Sequence, residues 1–104
     1  MPEVTNYHVL FYGGSDGYHN YRAQIMLLDK NGAVAYVRFV VNGSTFPADY
    51  IYGSNVIMMH LPESMIDKVM DLLRNEKPIY VYFVSNHGFL GTASESVGEG
   101  ESPP

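Results

Sequence analysis

Four histidines, a scatter of carboxylates and nine tyrosines are the residues with which this chain could do chemistry; cysteine is absent from its 104 residues. Without a thiol there is no disulfide, no thiolate zinc site and no cysteine nucleophile. Imidazole chemistry remains, because His8, His19, His60 and His87 are the side chains whose unperturbed titration lies near neutral pH. A loop histidine beside Asp16 or Asp49 would make a minimal acid/base or metal-assisted centre. No two histidines show a ligand spacing such as H-x-x-x-H, however, and each has a local explanation. His19 and His87 fall in loops, while His8 and His60 sit on strands where one hydrogen bond satisfies the ring. No catalytic residue, metal or cofactor is therefore assigned, and the enzyme reading stands as the alternative to a binding module.

The stretch Tyr12-Gly13-Gly14-Ser15-Asp16-Gly17 contains G-x-S-x-G, which in large hydrolases presents a nucleophilic serine on a strand-to-helix turn. That chemistry needs a helix directly after the serine. Here Ser15 is followed by Asp16-Gly17-Tyr18-His19-Asn20, a turn-rich run that leads into a strand, so the glycines read as a loose hairpin loop. A phosphate loop has still less support, since G-K-[ST] is missing and no helix with free N–H groups clearly follows.

Tyrosine is the more suggestive excess. Tyr18 and Tyr21 flank His19 in the first loop, and Tyr50 and Tyr52 lie in the third connection. Rings with polar tips gathered at loops are what interfaces and ligand grooves favour. Asp16, Tyr18, His19, Tyr21, Tyr50, Tyr52 and His87 are accordingly the binding candidates.

The elements that must position them follow from periodicity. Val4 to Tyr12 reads as a strand ending at Gly13-Gly14. Tyr21 to Val41 reads as a hairpin around Asp29-Lys30-Asn31-Gly32, although Asn20 and the helix formers after it also permit a helix over 21–30. A three-residue loop pairs Asp29 with Ala33, which sets Ile25 opposite Val37, Leu27 opposite Ala35 and Gln24 opposite Arg38. Ala23, Ile25, Leu27, Ala35, Val37 and Phe39 then form one wholly apolar face, while the polar side chains join Met26, Leu28, Val34 and Tyr36 on the other. Asn55 to Leu61 is a central strand, apolar on both faces but for His60. A helix over about 62–76 carries Met65, Ile66, Val69, Leu72 and Leu73 as a stripe. Pro78 to Val84 is the next strand, Ser85 to Gly88 a turn, and Phe89 to Val97 a last short strand.

This order predicts one α+β domain over 1–97. It is a mainly antiparallel curved sheet or half-barrel of five to six strands, with the helix inserted before the penultimate strand. Residues 98–104 form an acidic tail, expected to be disordered. The net charge of −5 is unevenly placed: residues 88–104 hold Glu95, Glu99 and Glu101 and no Lys or Arg, which leaves 6 basic against 8 acidic groups in the remainder. No basic stripe exists for nucleic acid, and no apolar run is long enough for a membrane span. The first residues lack the pattern of a signal peptide, so a soluble, cytoplasmic protein is expected. Because one helix covers only one face of a sheet, self-association, most simply as a dimer, is the expected cover; a protein partner or small ligand is the other possibility.

Overall fold

The structure, a computed structural model, describes residues 2–94, 96 and 97; the tail at 98–104 lies outside them. The chain forms β1 (Glu3–Val4), β2 (Asn6–Phe11), β3 (Tyr21–Asp29), β4 (Gly32–Val40), β5 (Tyr50–Tyr52) and β6 (Val56–Pro62). A single 3-10 turn (Glu63–Met65) then leads into α1 (Ile66–Asn75), followed by β7 (Ile79–Val84) and β8 (His87–Thr92). The fold is α+β, with the helix before the last two strands. The strands make two sheets, β2-β3-β4-β6-β5 and β1-β7-β8, which do not close into a barrel. All pairs are antiparallel except β4 with β6. The first predicted strand crosses from one sheet to the other: Val4 pairs with Ile79, and two residues later Asn6 pairs with Leu28.

The hairpin of β3 and β4 has the body register that burial requires, with Ile25 on Val37, Leu27 on Ala35 and Gln24 on Arg38. Ala23, Ile25, Leu27, Ala35, Val37 and Phe39 are fully enclosed. Full burial of a large apolar side chain contributes about 1.5–3 kcal/mol, so this face, repeated on two adjacent strands, outweighs the helix propensity of 21–30. The loop end differs from expectation. Asp29 pairs with Gly32 rather than Ala33, Leu28 pairs with Ala33, and the extra residue is absorbed by a bulge at Val34. That bulge turns Val34, expected on the outer face, into the core.

Met65, Ile66, Leu72 and Leu73 pack on this core beside buried Val69, as their spacing requires. Pro62 precedes the first turn in extended conformation, which its ring and missing N–H suit. Ser85 and Asn86 both take positive φ, so β7 and β8 join through a two-residue type I′ turn, with Val84 opposite His87. The last strand therefore starts at His87 and stops at Thr92, earlier at both ends than its alternating pattern indicated. No helix among the described residues is long and apolar enough to cross a membrane.

Candidate functional site

The glycine loop after β2 is built around a cation. Arg22 Nη1 donates to the carbonyls of Tyr12 (3.1 Å) and Gly14 (2.8 Å), and Nη2 donates to that of Ser15 (2.8 Å). On its other side Arg22 Nε lies 3.5 Å from Glu63 Oε1, while Glu63 Oε2 accepts the Asn42 N–H at 2.7 Å. A loop that turns its carbonyls inward onto a guanidinium is the electrostatic opposite of an oxyanion hole or phosphate cradle, both of which need converging N–H groups. Ser15 is followed by a turn and then by β3, with no helix. Tyr18 and Tyr21 exchange backbone hydrogen bonds across His19 and Asn20, both at positive φ, and so close the loop in a second tight turn.

Arg22 reaches this loop because β3 is irregular there. Tyr21 pairs with Val40 and Ala23 with Phe39, leaving Arg22 as an extra residue. Strict alternation back from Ala23 would set Tyr21 on the core face. The irregularity moves it to the outer face instead, opposite Val40. There the Arg38 guanidinium lies 5.3 Å from the centre of the Tyr21 ring, within cation–π range, and Arg38 Nε donates to Gln24 Oε1 at 3.0 Å.

Next to Arg38 in the parallel ladder is His60, which is only 4% exposed. Its ring lies under two tyrosines, Tyr21 at 5.8 Å and Tyr50 at 6.3 Å between centroids. Asp49 Oδ1 stands 3.1 Å from His60 Nδ1 and accepts the His60 backbone N–H at 2.9 Å, while Asp49 Oδ2 accepts the Gly88 N–H at 2.8 Å. A carboxylate only accepts, so Nδ1 carries the proton and Nε2 is the nitrogen left over. Nε2 is buried and has no hydrogen-bond partner among the described residues. The contact has the form of the orienting half of an acid/base dyad. Its working nitrogen, however, is sealed beneath rings and reaches no nucleophile.

Asp49 also has a structural task. β5 ends as a ladder partner at Met58, and the carboxylate takes the next free edge donor of β6, at His60, before reaching across to β8. β8 can come that close because residue 88 is glycine; a Cβ there would sit 3.0 Å from Met59 side-chain atoms. Below this seam, Met59, Leu61, Met65, Val69, Leu72 and Leu90 line an apolar groove of about 320 Å³.

The predicted binding residues thus divide. Tyr21 and Tyr50 meet over His60, and Tyr52 lies beside them with Gln24, Tyr36, Arg38 and Met58, around a hollow of about 310 Å³ on the outer face of the five-stranded sheet. Asp16, Tyr18 and His19 stay in the loop, exposed, with Tyr18 packed edge-on against His19 at 4.3 Å and 5.5 Å from Tyr12. His87 lies on the other sheet, its Nδ1 2.8 Å from the Ser85 carbonyl oxygen. No group of three or more metal-binding side chains forms among the described residues. Arg38, Gln24 and Tyr36 were missed as site residues, although the hairpin register already set Arg38 opposite Gln24 on the polar face. No family model, no curated protein and no solved structure matches this chain.

Proposed function

We propose that this protein is a small interaction module of the cytoplasm that self-associates and receives a partner on the outer face of its five-stranded sheet. The observation that supports this reading is the composition of that face. Among the described residues, α1 and the second sheet pack on the opposite face, and this one gathers Tyr36, Tyr50, Tyr52, Met58, Arg38 and Gln24 around one hollow. Tyr, Arg and Met are the residues enriched where proteins meet, because rigid rings contribute area at little entropic cost and guanidinium stacks as well as donates. The apolar surface left for a second copy to cover is narrower than two-faced apolar strands imply. Met58 and His60, on the outer face of β6, are already buried within one chain, whereas Tyr82, Val84 and Phe89 on β7 and β8 remain exposed.

Native mass spectrometry of the purified protein, followed by sedimentation from micromolar to millimolar concentration, tests the reading. The expected result is a dimer mass with nothing added. A chain that sediments as a monomer throughout would remove self-association from the proposal. A second reading, a minimal acid/base enzyme, draws on the contact between His60 and Asp49. An added mass that disappears on denaturation, and that is lost with His60→Leu, would favour it.

A further inference from the structure

Antiparallel ladders alternate, so every second residue of an edge strand turns its N–H and C=O away from its neighbour. In β2 the phase is set by Tyr12, whose N–H donates to the Arg22 carbonyl at 2.9 Å. Counting back by twos, Leu10, His8 and Asn6 face β3, and Tyr7, Val9 and Phe11 direct their backbone groups outward, where the sheet has no further strand among the described residues. Long edges are ordinarily protected by a charge, a proline, a bulge or a covering element. Asn6-Tyr7-His8-Val9-Leu10-Phe11 has no Lys, Arg, Asp, Glu or proline, and its pairing with β3 is unbroken. Its side chains are exposed as well except half-buried Val9, with Leu10 at 43% and Phe11 at 65%.

We infer that β2 pairs with β2 of a second copy of this chain, antiparallel about a two-fold axis at Val9, joining the two sheets edge to edge. The inference rests on the self-association proposed above and gives it a surface. A second copy is the occupant that fits, because the edge is complementary to itself. Centred on Val9, the two-fold sets Val9 against Val9 and Tyr7 against Phe11 of the other copy, and every outward N–H meets an outward C=O. Shifting the centre to Tyr7, His8, Leu10 or Phe11 leaves outward groups unpaired. In the centred register each exposed Phe11 ring lies against a Tyr7 ring, an aromatic cross-strand pair at both ends of the contact, and His8 lies against Leu10. No Lys, Arg, Asp or Glu within the strand opposes the approach. Of the other edges, β1 and β5 have only two and three residues, and β8, six residues long like β2, is engaged at its first outward N–H, which Gly88 gives to Asp49.

Charge-swapped variants test both the strand and the register. Tyr7→Glu with Phe11→Glu in one chain sets like charges opposite each other at both ends of the contact, and Tyr7→Lys with Phe11→Lys does the same with the other sign. Each variant alone is expected to self-associate about a hundredfold more weakly than the unchanged protein, and mixing the two is expected to restore a heterodimer. Val9→Pro, which removes the central outward N–H without touching the bonds to β3, is expected to weaken the dimer in the same direction. Circular dichroism and thermal melts confirm that each variant remains folded. A dimer that all three variants leave intact overturns the edge while self-association stands. An unchanged protein that stays monomeric to millimolar concentration overturns both, and leaves the edge to solvent or to a strand from another protein.

Discussion

The five-stranded sheet ends in two edges treated in opposite ways. On the β6 side the ladder with three-residue β5 stops at Met58, and one carboxylate finishes the work: Asp49 takes the His60 N–H and imidazole with one oxygen and the Gly88 N–H with the other. On the β2 side a six-residue strand presents its outward backbone with no such acceptor or donor among the described residues, beneath exposed aromatic side chains. A side chain that satisfies a strand edge makes it inert toward other strands and at the same time joins two sheets that their ladders leave apart. An edge without one keeps its hydrogen-bonding capacity for another molecule. Asp49 closes the first edge, and the self-association proposed above uses the second.

Removing the cap should have the largest effect. Asp49→Ala leaves two backbone donors and one imidazole donor without an acceptor at a carboxylate whose side chain is 12% exposed. Buried donors stripped of partners cost about 1–3 kcal/mol each, with partial relief from water, so a loss of about 3 kcal/mol is expected. Urea unfolding monitored at two wavelengths measures it, as a lower midpoint at unchanged slope. Asp49→Asn, which keeps one acceptor oxygen, should lose less. A loss below about 1 kcal/mol for the alanine variant would mean that the seam does not depend on this carboxylate.

The bare edge is held from its end, and that holding can be broken too. Gly17 adopts φ of +64°, and a Cβ there would collide with the Tyr21 carbonyl oxygen. Gly17→Ala must therefore open the turn that lets Arg22 grip the loop, at a cost of about 2 kcal/mol. Arg22→Ala should cost about 1 kcal/mol, because its partners lie near the surface and water replaces much of what is lost. Limited proteolysis checks both, with cleavage expected within residues 13–17 before any cut in the sheet. A loop that stays resistant in both variants would show that something other than Arg22 holds it.

How far the sequence foretold this molecule depends on how each feature is encoded. The hairpin face and the helix stripe were legible because burial repeats with a fixed period, and six alternating residues of β3 and β4 leave one register that keeps polar groups out. The bulges at Val34 and Arg22 were not, since an inserted residue costs no hydrophobicity and leaves no mark in composition. The second of them placed Tyr21 over His60, so the assembled cluster could not be read even though Tyr21 and Tyr50 were both candidates. Asp49 was considered as a partner for a loop histidine. It met a strand histidine instead, because the need it meets, an unpaired N–H on the edge of β6, exists only once the sheet is formed.

The smallest expected effect concerns the nitrogen that this arrangement leaves over. In His60→Asn the side-chain amide nitrogen can stand where Nδ1 stood and keep the bond to Asp49, while the buried Nε2 disappears. Losing ring atoms beneath Tyr21 and Tyr50 costs about 1–2 kcal/mol through the cavity formed, and removing an unsatisfied buried polar atom returns a comparable amount. The two terms nearly cancel, so His60→Asn is expected to change stability by less than about 1 kcal/mol. His60→Leu, which fills the space but deprives Asp49 of one donor, should cost more than the asparagine variant. Calorimetric melts of the two variants beside the unchanged protein make the comparison. If His60→Asn instead loses about 3 kcal/mol, Nε2 is not idle in the folded protein but holds a partner whose bond the asparagine cannot replace. The capped edge would then carry a ligand as well as a seam, and the acid/base reading of Asp49 and His60 would become the stronger one.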